Sequence, residues 1–320
     1  MIKLAEKRIK EEKDVRDVIG VTLTDMMEQD PNVMYLDADL MGAFNIQKKR
    51  AAYPETMVDC GVQEANMIGV AAGLSAMGMK PYVHSFATFS TRRCFDQIFL
   101  SVGYAKNHVK IFGTDPGVAA TSNGGTHMCF EDLTLMRVVP GATVMEFTDS
   151  VMADNLVRKV KDVPGVVYLR TVRKRAVGIY EKGSDFEIGK GVLLRDGCDA
   201  TVFACGMLVA VALDAAELAE KEGISLRVVD MFSIKPIDKD MIIESVAKTG
   251  AVVTAENHSV IGGLGSAVAE VMSENCPAPL VRFGVQDSYG EVGDEAYLME
   301  RFGFTPENLL QAVKTAISRK

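Results

Sequence analysis

From Glu64 to Met77 the chain is apolar or small at almost every position (Met67, Ile68, Val70, Ala71, Ala72, Leu74), and the run opens on a carboxylate. Glycines at Gly69 and Gly73 stand one turn apart, where another backbone can approach closely. A helix that is apolar all round is a buried one, so the segment Gln63 to Met77 is predicted to lie inside the fold on every side. A carboxylate in the first turn gains from the helix dipole, and that alone would account for Glu64. Against it, a Glu leading a buried helix cannot stay dry and unpaired, so it needs a specific partner. The stretch His84-Ser-Phe-Ala-Thr-Phe89 follows, at the end of a predicted strand, where α/β proteins place ligands. Phe86 and Phe89 could be core residues. Taken with Glu64, they describe a carboxylate and an aromatic shelf facing one heteroaromatic ligand.

The rest of the chain alternates strand and helix patterns. A helix is predicted from Asp14 to Asp30, with Val15, Ile19, Leu23 and Met26 as its apolar stripe. A strand over 33–36 then runs into Asp37-Ala-Asp-Leu-Met-Gly-Ala43, a loop of carboxylates and glycine suited to a ligand. After the Glu64 helix come a strand over 80–85, a helix over 91–104, a strand over 109–113, a helix over 131–138, a strand over 143–147, a helix over 151–160 and a strand over 166–170. The loop Thr114-Asp-Pro-Gly-Val-Ala-Ala-Thr-Ser-Asn-Gly-Gly-Thr-His127 has no apolar periodicity, and a loop this long inside a compact domain is more often functional than idle. His127 can either cap the next helix or face a substrate. Arg173-Lys-Arg175 reads as a solvated basic face, although it could reinforce the pull on an anion. From Ala176 to Lys190 the periodicity is lost, and a second alternating unit follows. This predicts an α/β chain of two doubly wound domains, 1–175 and 193–320, with 176–192 as a linker.

At 320 residues two domains are also the default expectation. The net charge of -8 argues against a general nucleic-acid surface. No apolar run approaches the ~20 residues of a membrane span. The chain opens on Lys3, Glu6, Lys7 and Arg8, so cytoplasm is the expected location. The six cysteines show no metal-ligand spacing and read as reduced thiols.

In order, Gly61-Val-Gln-Glu-Ala-Asn-Met67, Ser85-Phe-Ala-Thr-Phe89, Asn123-Gly-Gly-Thr-His127 and Tyr168-Leu-Arg170 resemble the motifs of the pyrimidine-binding half of transketolase. The resemblance covers essentially the whole chain. It implies thiamine diphosphate, with Glu64 hydrogen-bonding N1′ of the aminopyrimidine, Phe86 and Phe89 stacking on the ring, and Asp39 in the loop beside the cofactor. Arg92 stands where the family has the shelf's tyrosine. Arg16 and Arg170 match two arginines that bind the substrate phosphate, although Arg16 also reads as an exposed helix arginine. His127 matches a histidine facing the substrate's oxygens. The expected reaction transfers a two-carbon ketol unit from a ketose to an aldose, both normally phosphates.

Three positions depart from the family pattern. Asp115 replaces a donor-binding histidine, Asn123 replaces an aspartate, and Ala43 replaces a serine near the phosphate. An aspartate repels phosphate, which points to a different ketose. The diphosphate-binding motif Gly-Asp-Gly followed by Asn is missing, since Arg195-Asp-Gly197 lacks the first glycine. The resemblance therefore implies the carboxyl-terminal subunit of a split enzyme. An amino-terminal subunit would hold Mg2+ or Ca2+ and the diphosphate, in a dimer of heterodimers. Competing readings are the β-type subunit of a 2-oxo acid decarboxylating dehydrogenase and a non-catalytic scaffold. The turn Glu256-Asn-His-Ser-Val-Ile-Gly-Gly-Leu-Gly265 is not a dinucleotide loop, because Val268 stands where the third glycine is needed.

Overall fold

The computed structural model describes residues 1–320, and strands alternate with helices along the whole chain. In the first half, β1 (Val33–Asp37), β2 (Met57–Asp59), β3 (Lys80–Phe86), β4 (Val109–Thr114), β5 (Thr143–Glu146) and β6 (Val166–Thr171) pair in parallel. Their order is β5-β6-β4-β3-β1-β2. The runs at β1, β4 and β6 are buried at every position, as strands covered by helices on both faces must be.

In the second half, β7 (Val192–Arg195), β8 (Ala200–Ala204), β9 (Leu226–Asp230), β11 (Val252–Ser259) and β12 (Leu280–Val285) form a sheet of order β12-β11-β8-β9-β7. Only β7 runs antiparallel. One strand changes sides. β10 (Ser233–Lys235) leaves the second half and pairs antiparallel with β5, forming the edge of the first sheet. Two buried apolar clusters each include residues of both halves, one from Val15 and Leu23 to Val202 and Leu309, the other from Met34 and Leu36 to Phe203 and Val271.

The helix α1 (Val15–Gln29) buries the predicted stripe between Asp14 and Asp30. The helix α2 (Glu64–Ala76) begins at the predicted carboxylate but corrects the expectation of burial on every side. Met67, Ile68, Ala71 and Ala72 are buried, whereas Asn66, Gly69, Val70 and Gly73 face solvent. The helix is apolar on both sides, and this chain covers only one of them.

The helix predicted over 91–104 is broken instead into short pieces, Arg92–Cys94 and Phe95–Gln97, and a π-helix, Ile98–Tyr104, after a single helical turn over Ala87–Ser90. Side chains explain the break. Thr91 donates its hydroxyl to the Ala87 carbonyl at 2.6 Å, and Cys94 turns its thiol to the Phe89 carbonyl. The segment 176–191 is packed, not loose. Leu4 and Lys10 bridge to Tyr180 and Val177, and the Tyr180 and Phe186 rings meet edge to face at 4.8 Å.

The two halves meet through buried polar groups. Arg170 bonds Asp132, Glu146 and the Asn257 carbonyl, while the Cys205 thiol donates to Glu146 at 3.1 Å. Asn257 also bridges the Val118 amide and the Pro116 carbonyl. The loop over 114–127 is held by this seam. A Cβ at Gly125 would lie 2.5 Å from the Gly290 carbonyl, and one at Gly124 would lie 2.6 Å from the Val292 side chain.

Candidate functional site

The carboxyl ends of β1, β3, β4 and β6 carry the groups singled out in the sequence. A buried chain of hydrogen bonds ties these ends together. Asp37 accepts from the Tyr35 hydroxyl at 2.5 Å and from His84 Nδ1 at 2.8 Å, and His84 Nε2 lies 3.1 Å from the Thr114 hydroxyl. The His84 ring stacks on Phe44 with centroids 4.1 Å apart. This network braces both ligand loops, the one after Asp37 and the one after Thr114. Nothing in the sequence pattern marks His84 for that task.

Glu64 is only 3% exposed, at the first turn of α2. Its two oxygens receive only Arg93 Nη1, each at 3.3 Å. A carboxylate can accept about four hydrogen bonds, so this buried one is left underused. The Arg93 guanidinium also lies over the Phe89 ring, 4.1 Å from its centroid. His127 meets Phe89 edge to face at 5.0 Å and Phe86 at 5.8 Å. It does not cap a helix: its Nδ1 contacts the Thr126 hydroxyl, and the helix Asp132–Val138 starts without a side-chain cap. Glu64, Arg93, Phe89, Phe86 and His127 thus form one half-open mouth.

Arg92 does not belong to this mouth. Its side chain is 53% exposed and pairs with Glu131 at 2.8 Å, whereas its neighbour Arg93 covers the shelf. The broken helix is the reason, since the short turns after Phe89 change which face each residue occupies.

Arg170 is also displaced from its expected role. It is fully buried, and its guanidinium is matched by Asp132 at 2.7 Å and Glu146 at 2.7 Å, so it faces no ligand. Burial alone would lower its affinity for a proton, but these two carboxylates hold it raised. The arginine that reaches the mouth is Arg173, three residues on, in the run read as a solvated face. Its guanidinium lies 4.8 Å over the Phe86 ring and donates to Asp115 through Nε at 2.6 Å.

Arg173 meets Arg16. Both donate to the Ala43 carbonyl, at 3.2 Å and 2.8 Å. Arg16 is held in turn by Asp14, at 2.8 Å from Nη2. Asp115 is 5% exposed, has a backbone φ of 48°, and also accepts the Arg173 amide at 3.0 Å. Asp39, with φ 62°, donates its amide to Asp59 at 3.0 Å and lines a cavity of about 230 Å³ with Ala43, Arg50 and Asp59. Asn123 is exposed at the end of the turn Gly117–Asn123.

The second half offers no comparable mouth. Glu256 fills the amino end of the helix Leu264–Asn275, accepting the Leu264 and Gly265 amides at 2.7 Å each. The glycine-rich turn is therefore closed to an outside anion. Burial pushes the Glu256 carboxyl up to about 7 and His258 down to about 4.

Comparison with known proteins bears on these observations. Residues 11–177 match the transketolase pyrimidine-binding domain, and residues 189–309 match the transketolase carboxyl-terminal domain. The chain is 47% identical to the 6-deoxy-6-sulfo-D-fructose transketolase subunit of Clostridium sp. (strain MSTE9), covering 97% of this chain and 96% of that protein. It is 33% identical to one subunit of the apulose-4-phosphate transketolase of Phocaeicola vulgatus, covering 92% of this chain and 94% of that protein. A solved structure described as a split gene transketolase, inactive beta4 tetramer, superposes with a TM-score of 0.90 at 42% identity, covering 96% of this chain and 99% of that one.

Proposed function

The chain belongs to the transketolase family, as the carboxyl-terminal subunit of a split transketolase, and from this premise we propose that it binds the pyrimidine end of thiamine diphosphate for two-carbon ketol transfer from a ketose to an aldose. The observation that carries this reading is Glu64, a buried carboxylate with spare acceptor capacity beside two half-buried phenylalanine rings. The residues fit the cofactor. Glu64 would accept from N1′, and Phe86 and Phe89 would supply the stacking surface, a contact worth about 1 kcal/mol beyond burial.

When bound, thiamine diphosphate supplies the carbanion chemistry that breaks and forms the C–C bond. This chain's own residues do the rest. Glu64 holds one tautomer of the aminopyrimidine, and the rings keep water from it. Arg93 must swing off Phe89 and Glu64 to admit the ring. His127, edge-on to both phenylalanines, would donate to the sugar's oxygens and move a proton there. Arg16 and Arg173 clasp the far end of the sugar. Asp39 and Asn123 remain at the rim, for the cofactor loop and the substrate. The names of the two relatives give a sulfosugar and a sugar phosphate as candidate substrates.

The exposed apolar face of α2, with Gly69, Val70 and Gly73, supports a partner chain that completes its burial. The proposed assembly is a cytoplasmic dimer of heterodimers, with Mg2+ or Ca2+ and the diphosphate held by the amino-terminal subunit. No helix of this chain is long and apolar enough to cross a membrane. The test is calorimetry with thiamine diphosphate and magnesium, on this chain alone and mixed with the diphosphate-domain subunit from the same source. Binding and ketol transfer by the mixture only are expected. A mixture that binds no cofactor would overturn the reading in favour of a scaffold.

A further inference from the structure

The Arg16 and Arg173 clasp is already neutralised. Arg16 gives Nε and Nη2 to one oxygen of Asp14, at 3.1 and 2.8 Å, and Arg173 gives Nε to one oxygen of Asp115 at 2.6 Å, with its Nη2 2.5 Å from the same oxygen as an ion-pair contact. Each guanidinium spends a further N–H on the Ala43 carbonyl. Of the five donors on each arginine, at least two remain unspent. The clasp thus keeps several N–H groups but a net charge of zero. Lys10, Lys174 and Arg175 line a cavity that Asp115 also borders, together with the carboxylates of Asp214 and Glu295.

A site with several donors and no net charge discriminates by the ligand's charge. It can hydrogen-bond three oxygens of a tetrahedral oxyanion but cannot compensate the desolvation of a second negative charge. Phosphate monoesters lose their second proton near pH 6 and are mostly dianions at neutral pH. An alkyl sulfonate presents the same three oxygens with one charge at any pH an enzyme meets. Arg173 lies over Phe86, a ring of the proposed shelf, and on the transketolase reading the clasp takes the end of the ketose remote from the reacting carbonyl.

We propose that Asp14 and Asp115, by neutralising Arg16 and Arg173, make this chain select a ketose ending in a sulfonate over the corresponding phosphate. The inference rests on the transketolase reading above and extends it to the donor. Asp14 and Asp115 act through the arginines, as specificity determinants.

The test uses the complex reconstituted with its amino-terminal subunit, thiamine diphosphate and magnesium. kcat/KM is compared for 6-deoxy-6-sulfofructose and fructose 6-phosphate. The native complex is expected to prefer the sulfonate by more than about tenfold, the effect of one unit charge at roughly 6 Å and an effective dielectric constant of about 40. Asp115→Asn should shrink the ratio about tenfold by the same reckoning, mainly through a lower KM for the phosphate. Asp14→Asn should act in the same direction and serves where Asp115→Asn fails to fold. In the native complex the phosphate should gain on the sulfonate as pH falls through about 6, where it becomes a monoanion. Mere loss of Arg173's position would depress both substrates and leave their ratio alone. An active complex that prefers the phosphate, or a ratio unmoved in both variants, overturns the proposal while leaving ketol transfer intact. A complex inactive with both donors and unable to bind the cofactor overturns the functional reading itself, and this proposal with it.

Discussion

The mouth at the end of the first sheet and the seam between the two halves use the same residue types in opposite ways. At the seam, Arg170 is fully buried and matched by Asp132, Glu146 and a carbonyl, and even the Cys205 thiol has a partner. At the mouth, Glu64 has only long contacts to Arg93, and each arginine of the clasp keeps donors free. A saturated buried network holds one arrangement, whereas a partly saturated one is poised to accept a ligand. The buried arginine of the seam and the two proposed to bind a ligand differ in the number of unspent N–H groups.

The largest effect should come from breaking the seam. Arg170→Met leaves Asp132 and Glu146 buried without a cation and should cost about 3–5 kcal/mol in urea unfolding. Arg173→Met should cost less, about 1–3 kcal/mol, because Arg173 keeps 17% of its side chain exposed and Asp115 retains the Arg173 backbone amide as a donor. Equal losses would erase the contrast.

Next in size, Glu64→Gln should leave unfolding unchanged and lower turnover of the reconstituted enzyme by on the order of 10²–10⁴. Near-normal turnover would remove Glu64 from the mechanism.

The seam should also show in the pH dependence of stability. Asp230, bonded to the Thr148 and Tyr180 hydroxyls, is pushed from 3.8 to about 7 by burial. A carboxyl raised on folding favours the protonated state, so its contribution is present below about 4 and is lost as pH rises to about 7. Asp230→Asn should flatten this decline by on the order of 3 kcal/mol, read from chemical unfolding at pH 5 and pH 8. Glu256 acts in the same direction and survives in the variant. His258, lowered to about 4, acts oppositely, destabilising the fold as pH falls from 6.5 through 4.

The smallest effect sharpens the mouth. Arg93 covers the shelf and ties up Glu64, so Arg93→Ala should tighten thiamine diphosphate binding roughly threefold to tenfold in calorimetry. Weaker binding would make Arg93 a ligand of the cofactor.

Much of this was legible in the sequence. Long apolar strands and striped helices announced themselves by period, so α1, β3, β4 and β6 lie where periodicity places them. The short strands β2, β7 and β10 carry too few residues for any pattern to emerge. The mouth was legible where identity sufficed, at Glu64, Phe86, Phe89 and His127. It failed where a role depends on direction. Arg92 and Arg93 are neighbours of identical type, separated by a helix break that side chains impose through backbone contacts. Arg170 and Arg173 both pair with carboxylates distant in sequence and differ in how completely: Asp132, Glu146 and the Asn257 carbonyl close around Arg170, whereas Asp115 and the Ala43 carbonyl leave Arg173 partly exposed.

The crossing of β10 ties the folding of the halves into one sequence of events. During synthesis the outer edge of β5 has no partner until Ser233–Lys235 has emerged, so the first sheet is completed only after β9 exists. A fragment cut within 176–192 would carry that open edge permanently, a row of unpaired backbone groups that templates self-association. Surface loops elsewhere are the safer places to nick, tag or permute this molecule.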